Sequence, residues 1–131
     1  MNKFVTGIVA SLLLATGSAH ATTPDDACTA LMEARGHLVS MIGALDKASH
    51  GGLKAKIQAA SEKVDSMINT LQSSHGTQVQ AFKPVWDAFK KTRDTEIIPA
   101  LSAGKLGDAK ALATGVQADR MKQMRTALGC K

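Results

Sequence analysis

The sequence predicts an all-α, antiparallel up-down-up-down four-helix bundle, and three observations predict it. Apolar residues recur at alternating steps of four and three along four segments, glycine stands at the breaks between segments, and two cysteines, Cys28 and Cys130, lie near the two ends of the domain. Steps of four and three place side chains on one face of a helix. Strand-type alternation is missing, tyrosine is absent and β-branched residues are sparse, so no sheet is expected. An even number of antiparallel helices returns the chain to the end where it began, which is what a Cys28–Cys130 disulfide requires.

The first 21 residues read as a secretory leader. Lys3 supplies the positive charge, Ile8 to Thr16 an apolar run, and Ala19-His20-Ala21 a small-residue cleavage site. The run from Phe4 to Ala15 is interrupted by Thr6, Gly7 and Ser11 and is shorter than the ~20 residues of a membrane span. The expected product is residues 22–131, one soluble periplasmic domain, in which an isolated cysteine pair forms a disulfide. Cleavage removes Lys3 and no acidic residue, so the formal charge falls by one, from +5 to +4. Acidic residues are interleaved along every segment and no basic cluster alternates with aromatics, so a nucleic-acid groove is not expected.

The first helix opens at Thr23-Pro24-Asp25-Asp26, with a capping hydroxyl, proline at the first helical position and two carboxylates at the positive end of the dipole. Ala27, Leu31, Ala34, Leu38, Met41, Leu45 and Ala48 form its stripe, and Ser49-His50-Gly51-Gly52 ends it. Leu53, Ile57, Ala60, Val64, Met67 and Leu71 form the second stripe, ended by Ser73-Ser74-His75-Gly76, after which Thr77 can cap a third helix. In the third, Val79, Phe82, Val85, Trp86 and Phe89 face inward. Pro84 and Pro99 each remove a backbone donor, so this helix is expected to bend or start late. The fourth runs from Leu106 to Leu128 through Ala109, Leu112, Ala113, Val116, Met121 and Met124, with Gly129 as its stop.

The third and fourth segments carry a pattern: Trp86-x-x-Phe89, Arg93, Glu96-Ile97-Ile98-Pro99-Ala100, Gly104-Lys105, Ala109 and Leu112. This hairpin resembles the second half of the periplasmic four-helix-bundle ligand-binding domain of bacterial methyl-accepting chemotaxis receptors. The resemblance implies a sensory or binding module for a small molecule or partner protein, working as a dimer. The chain departs from that family in having no second transmembrane helix, adaptor or signalling domain, which leaves a free-standing periplasmic relative. Its first helix has only Arg35 where the amino-acid receptors of that family cluster arginines, so no ligand residue is carried over.

Enzymatic chemistry has no footing in the sequence. No Ser-His-acid set, paired carboxylates, Gly-rich phosphate loop or HExxH is present, and the cysteines are not spaced for redox catalysis. The competing function is electron transfer. The architecture is similar to that of cytochrome b562, whose haem b lies between a methionine and a histidine on the first and last helices. Here His37 and Met121 fall at one level of the expected bundle and form the candidate axial pair, with Gly36, Gly43, Ala113 and Gly115 leaving room beside it. The competing reading places His37 at the bundle edge and uses Met121, like the other methionines, as a gap filler. Under the binding reading no cofactor is expected.

Three charged residues bear on a ligand site. Arg93 and Glu96 continue the Phe82, Trp86, Phe89 series, and Arg120 follows Val116 by four. With Trp86 they can line a polar pocket; alternatively they are solvated or paired with one another. Burial of these charges would require a ligand or a fixed ion pair. The strip Gly36, Ser40, Gly43 would admit another helix closely, within the bundle or across a homodimer.

Overall fold

The computed structural model describes residues 21–131, so the leader expected over residues 1–21 lies, but for Ala21, outside the described residues. Six helices form four arms: α1 (Pro24–Gly43), α2 (His50–Leu71), α3 (Gly76–Thr92) continuing through a widened turn at Arg93–Ile97 into α4 (Ile98–Ser102), and α5 (Leu106–Thr114) followed by α6 (Val116–Leu128). There are no strands among the described residues. The arms form a four-helix bundle, with α1 packed most extensively along α2 and α3 along α6. Cys28 and Cys130 are joined, with their Cα atoms 5.8 Å apart.

The α1 start is as expected. Thr23 Oγ1 accepts from the Asp26 amide at 3.3 Å and Asp26 Oδ2 accepts from the Thr23 amide at 2.8 Å, a reciprocal capping box with Pro24 behind it. The end of α1 differs. The helix stops at Gly43, and Leu45, expected on the inward stripe, is 90% exposed. The cause is local: Asp46 Oδ1 accepts from the Ala48 amide and Ser49 Oγ donates to the Asp46 carbonyl. Such bonds offer the backbone an alternative to the helix. Ser49 to Gly52 is consequently not the break, because His50, Gly51 and Gly52 form the first turn of α2.

Two other boundaries shift. Helix α3 begins at Gly76, so Thr77 lies inside its first turn rather than capping it, and Pro84 sits well inside the helix rather than at its start. The effect of Pro99 is visible upstream. A proline ring clashes with the carbonyl four residues back and offers that carbonyl no donor. Directly before Pro99 the turn widens, with the Ile98 amide donating to the Arg93 carbonyl five residues back. In α2 the buried stripe passes through Ile68, with Met67 only partly buried, as the mismatch between helical and heptad repeats allows.

The fourth arm is two helices rather than one. At Gly115 a Cβ would stand 2.9 Å from the Ala111 carbonyl oxygen, so only glycine fits without movement. Gly115→Ala is expected to destabilise the protein by about 1–3 kcal/mol, as overpacking against a fixed backbone atom does. Urea unfolding monitored by circular dichroism measures this, and an unchanged midpoint would contradict the steric argument. At the far end Gly129 adopts φ 69°, and the Cys130 amide donates to the Arg125 carbonyl at 2.8 Å. This left-handed cap turns Cys130 back towards α1.

The core is centred on Phe82, Trp86 and Phe89, whose rings stack at 6.0 and 5.7 Å between centroids. Leu31, Ile57, Val64, Leu71, Ile97 and Met124 close around them. Small buried residues on α1 and α2, among them Ala27, Ala30, Ala34 and Ala60, suit the close packing of that pair.

Candidate ligand-binding groove

The flank of α1 that faces α5 and α6 is less tightly covered. Helix α1 makes few contacts with either helix, in contrast to its packing on α2. Met32, Arg35 and Val39, spaced by three and four, lie along this flank and face two cavities. The first, about 400 Å³, is floored by Leu38, Ile42, Phe89 and Ala113, with Gln117 at its base and Lys110 at its rim. The second, about 430 Å³, lies towards the disulfide between Met32, Met121 and Cys130, with Lys122 and Arg125 beside it. Arg35 lines both.

Gln117 is 2% exposed and Nε2 donates to the Phe89 carbonyl at 2.9 Å, which fixes α6 to α3 beneath the apolar cavity. Arg120 Nη1 donates to Gln117 Oε1 and to Thr92 Oγ1 at 3.0 and 2.6 Å. The base of the cavity is therefore held by a satisfied polar network that leaves its walls apolar.

The residues expected to form a polar pocket do not converge. Trp86 is a core residue, 1% exposed, with Nε1 donating to Asp65 Oδ1 at 2.7 Å and the Lys90 ammonium 5.4 Å from its ring centroid. Arg93 is also buried, but it points towards α2. Its Nη1 donates to Ser61 Oγ at 2.6 Å while Nε and Nη2 engage the carboxylate of Asp94. Arg120 lies between α3 and α6 in the network above. Glu96 is exposed, beside Pro99 and Lys105. Of the two explanations for a buried charge, the fixed ion pair is the one found at Arg93.

The proposed haem ligands are likewise kept apart. His37 Nε2 lies 3.8 Å from Glu33 Oε1, and Glu33 Oε2 lies 3.6 Å from Lys63 of α2, so this histidine sits on the α2 side of α1. Met121 lines the cavity on the other flank with Met32 and Arg35. At 100° per residue the two flanks are separated by roughly 150° around α1. His37 and Met121 do not address one cavity, and the pair does not fit an axial ligand set for haem b.

Of the small residues, Gly43 and Ala113 do leave space, since both line the apolar cavity. Gly36 and Gly43 are exposed and a Cβ on either would meet nothing within 4 Å, so the Gly36-Ser40-Gly43 strip is not covered by a helix of the same domain. The cavity residues Val39, Ile42, Lys110 and Gln117 were not singled out by the inward stripes. The spacing of Met32 and Val39 with Arg35 between them, a second line off the stripe, was the available signal. Among the described residues no helix is long and apolar enough to cross a membrane. No family model, curated protein or solved structure matches the chain.

Proposed function

We propose that the chain is a periplasmic, non-enzymatic binding protein, a sensory or accessory module, that takes a small, largely apolar molecule between α1 and α5. In this reading the four arms alternate in direction, up-down-up-down, which the short connections and the joined ends of the chain support. The observation that carries the function is the cavity of about 400 Å³ floored by Leu38, Ile42, Phe89 and Ala113. Ligand sites have this size and makeup: apolar walls with a few placed polar groups. The packing provides it because α1 is committed to α2, and α6 to α3, leaving the seam between the two pairs incompletely filled.

The test uses N-phenyl-1-naphthylamine, an uncharged fluorophore that brightens in apolar sites. Saturable binding at one equivalent is expected. Ala113→Phe, which fills the cavity from α5, is expected to weaken binding by about tenfold or more. Gly43→Leu, placed where a side chain meets no neighbour, should weaken it from α1. Circular dichroism establishes that each variant is folded. Binding that neither substitution affects, or no saturable binding, would overturn the reading.

A further inference from the structure

We infer that the ligand is an amphipathic anion, its apolar body in the α1/α5 cavity and its acidic head in the neighbouring α1/α6 cavity. The inference rests on the apolar cavity being the ligand site and adds the chemistry of the second one. Arg35 lines both cavities, and Lys110, Lys122 and Arg125 complete a basic border on which no carboxylate side chain lies. None of these four cations stands within 4 Å of an acidic side chain among the described residues, whereas Lys63, Lys90 and Arg93 all do.

Arg125 already shows how an oxygen is received here. Its Nη2 donates to the Lys131 main-chain oxygen at 2.9 Å, while its Nε is buried in the protein and has no partner. An anionic oxygen arriving at the α1/α6 cavity would meet the same cationic side chain, with Lys122 beside it. Cavity-lining residues on α1 run from Met32 to Gly43, roughly 16 Å along the helix axis at its usual rise. That length accommodates a medium-chain acid with its head at Arg35 and Lys122 and its tail over Phe89.

Calorimetric titration with decanoate, 1-decanol and decyltrimethylammonium tests the inference. Decanoate is expected to bind about tenfold more tightly than decanol, as a charge-assisted hydrogen bond allows, and the cation most weakly. The double variant Arg35→Gln/Lys122→Gln, at two exposed positions, should erase that preference, so that decanoate and decanol bind the variant with equal affinity. Arg125→Met, which removes a cation from the cavity border, should reduce the preference. Equal affinities for decanoate and decanol, both lost in Ala113→Phe, would overturn the anion inference while sustaining the apolar site. A preference for decanoate that survives the double variant would also overturn it. Failure of all three compounds to bind would remove both readings.

Discussion

A Cys28→Ser/Cys130→Ser variant is expected to lose roughly 4 to 5 kcal/mol of unfolding free energy, in the chain-entropy account of a cross-link closing about 100 residues. The two cysteines are 102 positions apart, so the bond constrains nearly the whole described domain in its unfolded state. Domains of this kind have total stabilities of about 5–15 kcal/mol, which makes the loss a large share. Guanidinium titrations of the variant and the oxidised parent give the difference directly. A loss below about 1 kcal/mol would mean that the unfolded chain is already compact, or that the entropic account fails.

The same substitution has a local consequence. Cys28 lies in the second turn of α1, next to the fully buried Ala27, and Cys130 follows the Gly129 cap and lines the α1/α6 cavity. Releasing the bond frees the cap to fray, and Arg125 and Lys131 with it. Binding of an anionic head should therefore weaken more than binding of an apolar body.

What could be read from the sequence followed from what each residue needs. The Thr23-Pro24-Asp25-Asp26 start, the Gly129 stop and the disulfide were legible because each depends on a few neighbours or on fold-level symmetry. The end of α1 was not, because the heptad rhythm through Leu45 and Ala48 competes with the Asp46 turn and the rhythm loses. The break at Gly115 was hidden for a similar reason: Leu112, Val116 and Met121 keep a plausible apolar rhythm across it, and only the approach of the Ala111 carbonyl shows why glycine is needed. The groove was the least legible feature. Its existence depends on how closely α1 approaches α2 rather than α5 and α6, a pairing choice that four similar stripes do not encode one residue at a time.

Arg93 shows how a residue can be correctly placed inward and still have a different role. Neighbouring residues do not face one another on an α-helix, yet Arg93 Nε lies 2.8 Å from Asp94 Oδ1 and Nη2 3.3 Å from Oδ2, in the widened turn before Pro99. The guanidinium is 2% exposed and the carboxylate 53%, so the two partners are unequal. Removing the carboxylate leaves a buried cation with only Ser61 Oγ, whereas removing the cation leaves a carboxylate that water can reach. Asp94→Ala is therefore expected to cost about 3 kcal/mol, the lower end for breaking a buried pair because Asp94 is half exposed. Arg93→Met, close in length and apolar, should cost less, and Arg93→Met/Asp94→Ala should recover much of the loss, a coupling that a double-mutant cycle in urea reads directly. If Asp94→Ala is no more damaging than Arg93→Met, burial of the guanidinium is not what the carboxylate offsets. Because Arg93 points to α2, these variants should leave ligand binding in the α1/α5 cavity unchanged wherever they remain folded, which separates the role of this charge from that of Arg35.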